Sequence, residues 1–136
     1  MADLLSLEIV TPEGKVHWEH VHMVLFPASE GHIGVLPRHT PLTTHLVPGE
    51  IIVHAPTEDR YLVVGEGFVE VGADYVTVVT DMAVPVERVD EAKVEEARVL
   101  AEARLREELS DEEMASVTAS LTRLLVQLQA KRRHRA

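Results

Sequence analysis

Three histidines crowd the stretch HWEHVH, residues 17–22: His17, His20 and His22. On a strand, side chains two positions apart share a face, so His20 and His22 could address one ligand. A zinc site needs three or four ligands converging in space, and the chain has no cysteine to contribute. A cupin-like metal enzyme would call on a third histidine and a carboxylate, for which His54 and Glu50 are available. The plainer reading is an exposed polar strand face. A second concentration is EGHIGVLPRHTPL, Glu30 to Leu42, where two Gly, two Pro and two His surround Ile33, Val35, Leu36 and Leu42. A catalytic loop, a metal site and a partner-binding corner of a β-fold all fit that mixture. GEGFVEVG, residues 65–72, has glycines at the wrong spacing for a dinucleotide loop and leads into a strand rather than a helix. It reads as a strand with tight backbone approach. No Ser/His/Asp arrangement stands out, and no catalytic centre emerges.

The elements that must position these residues divide the chain in two. Up to Val86 the pattern is of short strands between turn signals. Alternation runs through LSLEIV, with Leu5, Leu7 and Ile9 on one face, and through FVEV and YVTVVT. Thr11-Pro12-Glu13-Gly14, Val47-Pro48-Gly49 and Pro56-Thr57-Glu58-Asp59 supply the turns. These predict an antiparallel sandwich or barrel of short strands over residues 1–86. After Pro85 the composition becomes that of helices. VDEAKVEEARVLAEARLREEL is rich in good helix formers, with Asp90 as N-cap and a stripe of Val94, Ala97, Ala101 and Leu105. A break at Leu109-Ser110-Asp111 follows, and Ser110 with Glu113 makes a capping box for a second helix. Met114, Val117, Leu121, Leu124 and Leu128 then give a stripe to bury in an antiparallel hairpin over residues 87–136.

Composition bounds the rest. Apolar residues make up 46% of 136 and aromatics only 4%, so the core must be aliphatic. No apolar run approaches the roughly 20 residues that span a bilayer, and direct membrane insertion is not expected. The net charge of −10 argues against a nucleic-acid partner, but residues 114–136 carry five bases and no acid. In a hairpin turning near Ser110, Lys131 to Arg135 would lie beside Asp90, Glu91, Glu95 and Glu96. Exposed ion pairs contribute about 1 kcal/mol or less each. Such a dock is reversible, and another acidic surface could compete for it.

VTPEGKV, EGHIGVLPRHTPL, VPGE, VGEGFVEV and VTVVTDMA occur in this order ahead of the Ala/Glu-rich tail. With them the chain resembles the epsilon subunit of F-type ATP synthases along essentially its whole length. That resemblance implies an α+β fold, with an antiparallel β-sandwich of about ten short strands over residues 1–86 and then the helical hairpin, in a non-catalytic rotor subunit bound to the gamma subunit and seated on the c-ring. It implies a peripheral place on the cytoplasmic face of the bacterial plasma membrane, within a proton-driven complex. Glu30, Gly31 and His32 match the corner facing the c-ring, and His39, Pro41 and Leu42 match positions nearer gamma. Arg38 stands where many relatives carry Gly, and His32 where many carry an acid. The resemblance also implies a regulatory ATP site at VDEAKV, Val89 to Val94, with Asp90, Lys93 and Arg123 as contacts. Here Lys93 replaces the family's Arg and Val94 its Ala; a lysine lacks the planar fork of arginine. Arg123 is expected to face the hairpin near Ala97. A mobile tail carrying Arg123, Lys131, Arg132, Arg133 and Arg135 is expected to restrain ATP hydrolysis by meeting an acidic segment of beta in the alpha/beta ring. The alternatives are the metal enzyme and a free-standing sandwich adaptor with a coiled-coil tail.

Overall fold

The computed structural model describes residues 3–135. Its strands are β1 (Leu5–Thr11), β2 (Gly14–Val21), β3 (Met23–Ala28), β4 (Gly31–Val35), β5 (Leu42–Leu46), β6 (Gly49–His54), β7 (Asp59–Val64), β8 (Gly67–Val71), β9 (Tyr75–Thr80) and β10 (Ala83–Pro85). A 3-10 turn at Val86–Arg88 leads to α1 (Glu91–Arg104) and α2 (Asp111–Arg133). The strands run in the order β10-β7-β6-β3-β5-β8-β9-β1-β2, with β4 paired to β3. Neighbours are antiparallel except β1 and β9, which are parallel. The sheet closes around one largely aliphatic core that includes Leu5, Leu7, Ile9, Val24, Phe26, Val53, Val69 and Val78. Arg60 of β7 ties the layers by donating to both oxygens of Glu19 on β2, at 2.9 and 3.1 Å.

The alternating reading holds for β1, where Leu5, Leu7 and Ile9 are fully buried. β7 does not alternate. Leu62, Val63 and Val64 are buried in succession. Leu62 and Val64 face the sandwich core, while Val63 joins a separate cluster with Val86, Val89, Val94, Leu128 and Ala130. A strand covered on both faces loses its alternation. What covers the outer face is α2. Burying a Val or Leu side chain contributes about 1.5–3 kcal/mol, so Val63 and Leu128 are the main apolar anchors of the hairpin.

Two expectations for the hairpin need adjustment. The first helix stops at Arg104 rather than near Leu109. The next amides, of Arg106 and Glu107, bond three residues back to Ala103 and Arg104, which tightens the chain and turns it away. Helix-forming residues are overridden there by the need to return α2 to the sandwich. The Ser110–Glu113 capping box is present, with bonds of 3.1 and 3.2 Å. Of the α2 stripe, Val117 and Leu128 are buried, but Met114 is 40% exposed near the hairpin tip, beyond the sandwich's cover.

Arg38 adopts φ 70°, the left-handed region, where its amide reaches the Ala73 carbonyl and its guanidinium pairs with Asp3 at 2.8 Å. An L side chain there carries about 1 kcal/mol of strain that glycine avoids. Arg38→Gly is therefore expected to raise stability by about 0.5 kcal/mol after the loss of unfolded-state order. Urea unfolding would measure it, and a loss of stability would show the strain to be absent.

Candidate functional site

The corner residues lie at two ends of the sandwich. Gly31 pairs with Ala28 and His32 with Pro27, at the tight β3–β4 turn. Glu30, Gly31 and His32 are all exposed, and Gly31 has φ 124°. Leu42 instead opens β5 opposite Val71, four residues from Leu46, which pairs with Ala28. Near it His39 Nδ1 donates to the Thr40 carbonyl at 2.6 Å, and Pro41 is exposed. Leu42 itself packs on the core. The long stretch between the two Gly and two Pro thus places one compact turn at each end, and it assembles no joint site.

The histidines of the opening motif separate in the same way. His17 Nε2 meets Glu19 at 2.9 Å, and His20 stands edge-on to Trp18 with centroids 4.9 Å apart. His22 lies past the end of β2, and its amide bonds to the His54 carbonyl. The His54 ring is turned to Asp59 at 2.9 Å, away from Glu50. The cupin-like grouping of His20, His22, His54 and Glu50 does not form.

Asp90 and Lys93 meet at the start of α1, but Arg123 is engaged elsewhere. Asp90 Oδ1 caps α1 by accepting from the Lys93 amide at 3.2 Å. Arg123 turns toward the sandwich. Its guanidinium donates to Asp81 at 3.3 Å and to Ser120 at 3.1 Å.

What the tail residues do is clear. Arg132 donates to Glu91 at 3.4 Å and lies 3.5 Å from Glu95, and Arg135 bonds both oxygens of Glu91. Arg135 holds the Glu91 carboxyl below its ordinary range, so this contact is lost only in acid, as pH falls through that lowered value. Lys131 Nζ donates to the carbonyls of Val86 and Glu87 at 3.3 and 3.4 Å. Arg133 reaches past α1 to Glu50 on β6, at 2.7 Å. The helix acids Glu91 and Glu95 were anticipated as partners; Glu50, Asp81, Tyr61 and His134 were not. The unbroken apolar run in YLVV was the available sign that something packs on β7.

A family model described as the ATP synthase delta/epsilon chain, beta-sandwich domain, matches residues 4–86. An ATP synthase epsilon chain of Herpetosiphon aurantiacus is 41% identical over 96% of both chains. The chain belongs to the ATP synthase delta/epsilon family. An epsilon chain of Acidithiobacillus ferridurans is 36% identical, with 99% of this chain and 96% of that one aligned. Among solved structures, a chain of the Euglena gracilis mitochondrial ATP synthase, in an assembly of OSCP, F1 and c-ring, superposes with a TM-score of 0.78. It is 23% identical and covers 96% of this chain and 82% of its own, a likeness of fold. A Tetrahymena thermophila mitochondrial chain from a central stalk and c-ring structure gives 0.63 at 12% identity. In this delta/epsilon member, then, the described interior is occupied by packing side chains, and Glu50 is the one charged residue buried among those described.

Proposed function

We propose that the chain is a non-catalytic central-stalk subunit of a proton-driven F-type ATP synthase, coupling rotor rotation to ATP synthesis. The observation that carries this reading is the 41% identity to an epsilon chain across 96% of the length. Residues 1–86 serve as the partner-binding unit, on gamma and the c-ring, and residues 87–136 as the regulatory hairpin. The complex would hold the chain on the cytoplasmic face of a bacterial plasma membrane; no described helix is long and apolar enough to cross one. A rigid β-turn suits a torque-bearing contact, because little ordering entropy is lost on docking.

The hairpin's regulatory role draws support from its separate apolar cluster and its largely exposed ion pairs. The helices can leave without opening the sandwich core. Extended, Arg132, Arg133 and Arg135 would be free to meet an acidic segment of beta in the alpha/beta ring and oppose hydrolysis. A regulatory ATP held by Asp90, Lys93 and Arg123 belongs to this reading once the hairpin moves, since the docked Arg123 pairs with Asp81. Affinity purification of the tagged chain from its host is expected to bring down gamma and the catalytic subunits. Recovery of the chain alone would defeat the assignment.

The β3–β4 turn provides a sharper test. His32→Trp adds bulk to an exposed strand position and should leave the isolated chain folded while weakening its seating on the c-ring. Gly31 is the poorer choice, because its φ of 124° would strain any side chain. Reconstituted rotors containing His32→Trp should show reduced proton-coupled synthesis. Wild-type coupling would move the interface elsewhere.

A further inference from the structure

Between the 3-10 turn and α1 only two residues leave the helical region. The turn, Val86–Arg88, closes with the Val89 amide donating to the Val86 carbonyl at 3.1 Å. Val89 then takes ψ 123° and Asp90 ψ 98°, and α1 begins at Glu91. Their φ angles, −69° and −92°, already lie at or near helical values. Two ψ rotations, to about −42°, would join the segments. Lys131, near the end of α2, stands in the way. Its Nζ donates to the carbonyls of Val86 and Glu87 at 3.3 and 3.4 Å. A continuous helix needs those same two carbonyls for the amides of Asp90 and Glu91. We propose that the linker is a latent helical hinge: docked α2 holds it broken, and when α2 leaves, the turn and α1 join into one helix from Val86 to Arg104.

Joining is a propagation step. Starting a helix is costly because a full turn is fixed for its first hydrogen bond, whereas lengthening one gains a bond for each residue added. α1 supplies the nucleus, braced by Arg98 through Glu95 and Glu102. Three restraints oppose the change in the docked chain. Lys131 is the first, and the burial of Val86 and Val89 against Val63, Leu128 and Ala130 is the second. Asp90 is the third, because its side chain accepts from the Lys93 amide and marks a helix start. The first two depend on α2 and weaken with its departure. Valine and aspartate are middling helix formers, so the linker is near enough to balance for those contacts to decide it.

Joining also changes the face that α1 presents. At about 100° per residue, Val86, Val89, Ala97 and Leu100 fall in one stripe of the joined helix, with Lys93 between them. In the docked hairpin Leu100 is 62% exposed, and α1 buries Val94 instead. The joined helix would be about 28 Å long, against about 21 Å for α1. Departure of α2 thus yields a stiff arm rather than a loose tether.

The hinge rests on the reading of the hairpin as a mobile element, and nuclear magnetic resonance of the isolated full-length chain tests the two apart. Leu128→Glu places a carboxylate at a position 2% exposed, outside the sandwich core, and should release α2. Release is read from the amide signals of Tyr61, Val63 and Val84 on the uncovered face. In the same spectra the Cα signals of Val89 and Asp90 are expected to cross from the extended to the helical side of their random-coil values. A contact from the Arg88 Hα to the Glu91 amide should appear with them. Lys131→Met alone should move both signals part of the way. Asp90→Pro fits the docked linker, where the preceding Val89 is extended. Added to Leu128→Glu, it should abolish the helical shift at Val89, since proline lacks the amide and clashes with the Val86 carbonyl. If the sandwich signals move while Val89 and Asp90 stay extended or become coil, the hinge is wrong and the mobile hairpin stands. Sandwich signals unmoved by Leu128→Glu would end both. A helical Val89 that survives Asp90→Pro, or a linker indifferent to Lys131→Met, would also overturn the hinge.

Discussion

Ending the chain after Arg88 leaves a folded sandwich and, in the assembled synthase, ATP hydrolysis several-fold faster than with the full chain. Coupled synthesis continues. The structural reason is that the two apolar clusters are separate: the sandwich core closes over strands complete by Pro85, and the hairpin adds a second cluster outside it. Removal uncovers Tyr61, Val63, Met82, Val84 and Val86, so the truncated chain should also bind an apolar dye that the full chain excludes. The faster hydrolysis follows if the tail bases act on the ring. Replacing Arg132, Arg133 and Arg135 by Glu should reproduce it, with an effect that shrinks at high salt. Steady-state ATPase assays on the reconstituted complex give the answer. Unchanged hydrolysis after truncation would end the inhibitory role and leave the coupling role standing.

Gly67→Ala should destabilise the sandwich by about 3 kcal/mol or more, near the upper limit for added core bulk. A Cβ at Gly67 would stand 1.8 Å from the Val79 carbonyl oxygen and 2.8 Å from the Thr80 Cα. Both are backbone atoms of β9, held by the pairing of Gly67 with Thr80. Neither can move without breaking the ladder. Gly34→Ala is the control, since its added carbon meets only the Met23 Cε, at 2.7 Å, and Leu25 at 3.8 Å. A thioether end swings aside, and the loss should stay near 1 kcal/mol or below. Urea unfolding of the two variants separates the effects. Equal losses would mean that the β8–β9 approach is not the constraint.

Those glycines show how far the sequence could be read. GEGFVEVG gave close backbone approach, and Gly67 is where that approach occurs. LSLEIV gave a strand with one buried face, Ser110 and Glu113 gave the start of α2, and the Lys/Arg-rich end facing an acidic helix gave Arg132 and Arg135 on Glu91. Each is a local pattern, or follows from counting along two antiparallel helices. The end of α1 was not legible, because no Gly or Pro marks it and the helix formers run on to Leu109. The strain at Arg38 was likewise hidden, because its φ of 70° had to be seen.

By itself the sequence determined the class of the fold, its two-part order, its family resemblance and the polarity of the hairpin. Periodicity, capping and charge are all carried by residues close in the chain. Only the tertiary structure decided which face the hairpin covers, that Arg123 turns to Asp81, and that Glu50 closes over Arg133 and His134. Glu50 and His134 are 84 residues apart, and no periodic pattern connects them. Their meeting depends on α2 crossing β6 and β7, and that crossing is fixed by the burial of Val63 and Leu128. Beside the Val47-Pro48-Gly49 turn Glu50 offers only a carboxylate, and its partners are decided once the helix that desolvates it is in place.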